Sequence, residues 1–510
     1  MIISRKITAV KVCDGDCYIL QQLFLCKIWR IGENEKGAVA MVFSSIVFIF
    51  KFLPLFFLLY GVCPFKWKNA CLFIGSLIFY FYGVRDNPFY FLLFLFSIVI
   101  NYMLGGLIGR SRRKSKKMLA MGIVYNLSWL VLFKYLGFIM QILSQLLSAL
   151  GFSVNFPPYQ PVLPIGISFY TFQAVSYLID VYRRKVPYER SFSGFGMYIS
   201  MFPQLIAGPI VTYSAMRNQI RKRRISFSMI EEGLREFTIG LGMKVLIANQ
   251  VGGLWRDIQT IGFESISTPL AWLGLIAFSL QIYFDFYGYS LMAKGLGYIL
   301  GFKLPCNFAH PYMSTSMTEF WRRWHITLGS WFREYVYIPL GGNRKGFCRT
   351  IRNLFVVWLL TGLWHGASWN FILWGFSLFF LIFIEKIGMG KALERHPAAG
   401  HIYMLFSIPL TWMLFAITDL PQIAVYIHRL FPFLGRTGEF ICYAGDYLKY
   451  GRLYAVSICT GLVFATYLPR NLYNRWKNSS VSAAVLLAVF WGCVYCIKKG
   501  MDDPFLYFRF

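Results

Sequence analysis

The run NLFVVWLLTGLWHGASWNFILWGFSLFFLIFIE, residues 353–385, decides the fold class. It holds over thirty mainly apolar residues, well beyond the ~20 that cross a bilayer once as a helix. Gly362, His365 and Gly366 interrupt it near its middle, so the pattern predicts two helices or one kinked helix. Similar runs recur along most of the chain. Of the 510 residues 57% are hydrophobic and only 14% charged, against ~25% charged in soluble domains. The expected class is an all-α polytopic integral membrane protein.

The formal charge of +29 could suggest nucleic acid, but a basic excess in loops is what positive-inside orientation produces. No nucleic-acid partner is expected. Apolar runs at 41–62, 70–84 and 88–108 predict three helices, with Lys66, Lys68 and the run RSRRKSKK (110–117) on the cytoplasmic side. Residues 118–137 go outward and 162–182 return to RRKVPYER (183–190). The segment SGFGMYISMFPQLIAGPIVTY (193–213) has strongly basic flanks at both ends, and Pro203, Gly208 and Pro209 break it. It is expected to be re-entrant, a form tolerated where backbone is buried in protein. Further spans are predicted near 234–252, 269–300, 402–420, 451–469 and 481–497, for about eleven in all. Residues 302–352 are too polar to span and predict interfacial helices.

Residues 1–40 lack a spanning run and have neither the order nor the cleavage site of a signal peptide. The text changes abruptly at MVFSSIVFIFKF (41–52). This break favours a mis-called start with Met41 as initiator, the alternative being a regulatory extension. Residues 41–510 contain no visible repeat and form one membrane unit. Cys493 and Cys496 make a CxxC, but no second pair supports a zinc ribbon, so they are expected to pack.

Ionisable residues at membrane depth cost ~2.5–3.5 kcal/mol on insertion scales, so the few present are informative. His365 lies thirteen residues past Arg352, roughly 20 Å along a helix. It is either a hydrogen-bonded packing residue or part of a site. Gly362 and Gly366 would let another helix or a ligand approach there. His325 lies in TEFWRRWHITLGSWFREYVYIPLGGNRKG (318–346), where tryptophans alternate with arginines as on an interfacial helix. Arg322, Arg323 and Arg333 are either headgroup anchors or a docking patch for phosphates. Asp285, in LQIYFDFYGYS, needs a partner, a histidine or arginine being the obvious choice. Glu319 and Glu334 sit beside arginines and look structural. His396, His401 and His428 fall in or near polar loops. No metal spacing is visible.

Several long motifs carry a resemblance: LPIGISFYTFQAVSYLIDVYR (163–183), MFPQLIAGPIV (201–211), QIYFDFYGYS (281–290), the segment around His325, and LTGLWHGASWNFILWG (360–375). From Met41 through PFLYFRF (504–510) the chain resembles the membrane-bound O-acyltransferase family, in its bacterial alginate-O-acetylase-like branch. One stretch departs from the branch: FDFYGYSLMAKG stands where FDFSGYSDMAIG is usual, so Tyr287, Leu291 and Lys294 replace Ser, Asp and Ile.

The resemblance implies an enzyme whose signature histidines are His325 and His365. It implies a ring of helices around a thinned centre, with a funnel from each side. It also implies acetyl-coenzyme A as cytoplasmic donor with no bound cofactor, an exported polysaccharide as acceptor, and a separate extracytoplasmic acetyltransferase as partner. The location implied is a bacterial cytoplasmic membrane. His365 is then the general base and His325 a second proton-handling or donor-positioning group. Asp285, Arg322, Arg323, Arg333, Trp324 and Trp364 are candidates for substrate binding. Alternatives are D-alanyl transfer to teichoic acid from a carrier protein and, in another class, a transporter or flippase.

Overall fold

The computed structural model describes residues 41–152, 156–157, 159, 161–206, 208–434, 443, 445–500 and 506. Residues 1–40 lie outside that set, as does the expectation that the protein starts at Met41. Every regular element among the described residues is helical.

Among the described residues seven helices are long and apolar enough to cross a membrane, making the chain a multi-pass membrane protein. The pair Asp446–Ala465 and Leu468–Trp476, bent by 72°, makes an eighth if it is one broken span. The sequence predicts about eleven, and the difference has a physical reason. Lys68–Gly83 and Ile167–Tyr182 have only 16 residues each, ~24 Å of rise against a ~30 Å hydrocarbon core. Phe48–Val62 is also short. Phe347–His365 has 19 residues but carries Arg349 and Arg352 in its first two turns.

Eight elements position the site. They are α1 (Ser115–Ala149), α2 (Phe227–Ile261) and α3 (Thr268–Ile299), the short α4 (Met317–Arg323) and α5 (Ile326–Phe332), then α6 (Phe347–His365), α7 (Trp369–Ile384) and α8 (Pro397–Ala416). Helix α1 continues to Ala149, past the expected end at 137. The run 353–385 is two helices, α6 and α7, parted at Gly366–Ser368.

Lipid is as apolar as leucine, so helices in a membrane associate by packing and small residues. A Cβ on Gly240 of α2 would lie 2.4 Å from the Gly288 carbonyl oxygen of α3, and one on Gly288 2.6 Å from that of Gly240. Gly233 and Gly295 repeat the relationship two helical turns away, at 2.6 and 2.5 Å. The two helices therefore touch backbone to backbone. Gly362 and Gly375 do the same for the α6–α7 hairpin, where a Cβ would meet the carbonyls of Phe371 and Trp358 at 2.4 and 2.5 Å.

The segment expected to be re-entrant consists of Phe192–Ser200 and Phe202–Leu205, parted at Met201. Nine residues rise ~14 Å, too little to span. Residues 194–205 are buried throughout, so their irregular backbone is enclosed by protein.

Candidate functional site

His325 joins α4 to α5 in a left-handed conformation, φ 44° and ψ 53°. A non-glycine residue there stores roughly 1–3 kcal/mol of strain and persists only where its surroundings over-determine it. They do so here. The Ile326 N–H donates to the Asn307 carbonyl at 3.0 Å, and the Thr327 hydroxyl donates to Asn307 Oδ1 at 2.6 Å. The Ile210 N–H donates to Thr327 Oγ1 at 3.0 Å, which ties the stretch after the buried 192–205 helices to this turn. One turn on, the Trp331 indole stacks on Phe172 with centroids 3.8 Å apart and donates to the Phe172 carbonyl.

The His325 side chain is 2% exposed, with its ring 4.7 Å from Phe286 and 6.0 Å from Trp364. Neither ring nitrogen has a hydrogen-bond partner among the described residues. Burying a polar group unpaired is costly, which singles this imidazole out among the buried side chains. It lines a pocket of about 220 Å³ between α4–α5 and α6, together with Trp321, Trp324, Phe332, Trp358 and Arg333. Arg333 is exposed, so the pocket runs from the surface to the imidazole.

His365 ends α6 and is buried. Its ring lies 4.9 Å from Trp364, 4.9 Å from Trp374 and 5.2 Å from Phe415. Two histidines forty residues apart in sequence are thus both in ring contact with one indole, that of Trp364.

The remaining candidates separate. Trp324 and Trp364 are both buried; Trp324 lines the pocket and the Trp364 ring contacts both imidazoles. Of the three arginines, only Arg333 reaches the pocket. Arg323 pairs with Glu319 at 2.5 Å and donates to the Tyr467 hydroxyl, while Arg322 is exposed. Glu334 pairs with Arg183 at 3.5 Å and Lys185 at 3.4 Å. Among the described residues Asp285 pairs with Lys244 of α2, where a histidine or arginine is the expected partner. It is its neighbour Phe286 that packs on His325. Lys294, one of the departures from the branch pattern, pairs with buried Glu236, which Arg470 also contacts.

Three residues escaped the sequence reading. Lys134, in the apolar stretch VLFKYLGF, donates to the carbonyls of Trp364 and His365. The rule that makes membrane-depth histidines informative applies equally to this lysine. Trp321 lines the pocket with a buried indole N–H that has no partner among the described residues. His310 shares the left-handed backbone of His325, at φ 49°, with its ring 4.7 Å from Tyr467.

The described residues thus form a multi-pass helical protein that seats two buried imidazoles beside one tryptophan, one of them on a surface-connected pocket. The model of the membrane-bound O-acyltransferase family matches residues 119–392, which include both histidines. The chain belongs to this family and is an O-acyltransferase. It is 40% identical over 377 residues to the probable alginate O-acetylase AlgI of Pseudomonas aeruginosa, covering 73% of this chain and 69% of that one. The protein of the same name from Pseudomonas putida is 38% identical over 502 residues, 92% of this chain and 100% of the relative. The peptidoglycan O-acetyltransferase of Helicobacter pylori is 31% identical over 544 aligned positions, 92% and 98% of the two chains.

Proposed function

We propose that the protein moves acetyl groups from acetyl-coenzyme A, taken from the cytoplasm, to an exported polysaccharide or cell-envelope glycan, working in a bacterial cytoplasmic membrane. The observation that carries this reading is the unpartnered, buried His325 on a pocket whose outer wall holds Arg333. An apolar pocket of this size takes a thioester arm, and the exposed guanidinium suits the donor's phosphates. Relatives aligned over nearly the whole chain carry the names of O-acetylases of alginate and peptidoglycan, which supports acetyl over D-alanyl as the group moved.

Acyl transfer needs the acceptor's proton removed and charge stabilised on the carbonyl oxygen. His365 accepts the proton of the attacking hydroxyl as its oxygen bonds to the acetyl carbon. The C–S bond then breaks, and the leaving thiolate takes up the proton that the imidazolium releases. The Trp321 N–H is the proposed donor to the carbonyl oxygen, and His325 orients the thioester. The final acceptor receives the acetyl group through a separate extracytoplasmic transferase.

The test uses the full chain in proteoliposomes with acetyl-labelled coenzyme A. Labelled glycan or labelled partner transferase, with one thiol released per acetyl moved, is the expected result. Label moved only from a D-alanyl carrier protein would overturn the donor, and transport of a glycan without acyl transfer would overturn the activity.

A further inference from the structure

The last four carbonyls of an α-helix have no intrahelical donor, and a buried helix end must find partners elsewhere. In α6 these carbonyls belong to Gly362, Leu363, Trp364 and His365. All four are accounted for. The Gly366 N–H donates to the Gly362 carbonyl at 3.3 Å. The Tyr135 hydroxyl donates to that of Leu363 at 2.8 Å. Lys134 Nζ donates to those of Trp364 and His365, the latter at 3.1 Å. A neighbouring helix thus supplies most of the cap, with the N–H donors of its lysine amine aimed at the carbonyl end of α6.

The device is built into the backbone of α1. Lys134 and Tyr135 close a π-helical stretch, Val131–Tyr135, and such bulges change the direction in which successive side chains project. Lys134 also lies 5.9 Å from the centre of the Trp364 ring, the indole in ring contact with both histidines. A lysine inside an apolar span is expensive, and surface anchoring does not explain one that spends its donors on a helix end carrying His365.

We propose that Lys134, assisted by Tyr135, is a positioning residue for His365: it clamps the end of α6 so that the imidazole is held for proton transfer. The inference rests on the acyl-transfer reading for its kinetic consequence and on the hydrogen bonds alone for the clamp.

The full chain in lipid nanodiscs is compared with Lys134→Met and Lys134→Arg by two measurements. Hydrogen–deuterium exchange over residues 362–370 is expected to rise in Lys134→Met and to return toward the parent in Lys134→Arg. With acetyl-coenzyme A, kcat is expected to fall about 100-fold in Lys134→Met, the order of loss for a displaced catalytic group. KM is expected to stay within about twofold, because donor contacts are untouched. Unchanged exchange overturns the clamp. Raised exchange with parental kcat, or a loss confined to KM, overturns the positioning role. If the parent itself moves no acetyl group, the acyl-transfer reading fails and the exchange measurement still decides the clamp. Should Lys134→Met fail to fold, Tyr135→Phe removes one bond of the same cap and is read the same way.

Discussion

Lys244 Nζ lies 2.7 Å from Asp285 Oδ1, with both side chains no more than 3% exposed. The pair is embedded: Lys244 also donates to Asn249 Oδ1 at 2.9 Å, and the Leu506 N–H donates to Asp285 Oδ2 at 2.8 Å. The pair thereby links α2, α3 and Leu506, and Asp285 is one residue along the chain from the His325-contacting Phe286. Removing one partner takes from the other the counter-ion of this buried pair. Lys244→Met or Asp285→Asn is expected to cost about 3–5 kcal/mol, with the double variant Lys244→Met/Asp285→Leu much nearer the parent. Reversible denaturation in detergent, arranged as a double-mutant cycle, measures this. Additive single and double effects would dissolve the coupling.

Backbone contact between α2 and α3 makes a second, sharper prediction. The Cβ of Gly288→Ala would lie 2.6 Å from the Gly240 carbonyl oxygen, and neither backbone can swing aside as a side chain could. A loss of about 1–3 kcal/mol is expected, as for other overpacked interiors. Gly492→Ala, in Ser480–Lys498 with open space around it, should instead gain roughly 0.5–1 kcal/mol from helix preference. Thermal unfolding of the two variants side by side checks the contrast.

Much of this architecture was legible because its physics is one-dimensional. The length and composition of 353–385 announce two membrane helices, and Gly362 with Gly366 announces the close approach that the Phe371 carbonyl and ring then supply. His325 and His365 are visible as costly residues and through their motifs. What escaped is pairing. Whether Asp285 meets a histidine, an arginine or Lys244 depends on how α3 is rotated against α2, and the glycines that set the rotation lie far apart in sequence. Lys134 escaped for the same reason, since its partner is the end of a helix more than two hundred residues away. The shortness of Lys68–Gly83 and Ile167–Tyr182 is likewise a matter of where neighbouring chain turns. Hydropathy alone does not mark such ends.

Glu319 provides a pH test outside the spans. Burial by itself would raise its carboxyl, but the Thr315 N–H and hydroxyl and the Arg323 guanidinium outweigh burial and hold it below its ordinary 4.5. A carboxyl depressed by folding stabilises the fold above its unfolded pKa, and that contribution disappears as pH falls through the folded value. Glu319→Gln should therefore unfold at a lower temperature than the parent at pH 7. The gap should close as pH is lowered from about 4.5. Melting curves from pH 3 to 7 read the gap, and a constant difference across that range would contradict the assignment.

The three arginines near His325 look interchangeable in sequence and are not so in space. Arg333 lines the pocket, Arg323 is occupied by Glu319 and the Tyr467 hydroxyl, and Arg322 is exposed. If the pocket receives the donor, Arg333→Met should raise KM for acetyl-coenzyme A about tenfold, some 1.4 kcal/mol of lost binding, and leave kcat alone, since the contact is uniform through the reaction. Acetyl-pantetheine, which lacks the nucleotide phosphates, should not distinguish the variant from the parent. Arg323→Met should instead lower the unfolding temperature without changing either KM, because it breaks a structural pair rather than a donor contact. Arg322→Met should alter neither measurement. An equal KM increase for both donors in Arg333→Met would mean that the guanidinium shapes the pocket wall and does not bind phosphate.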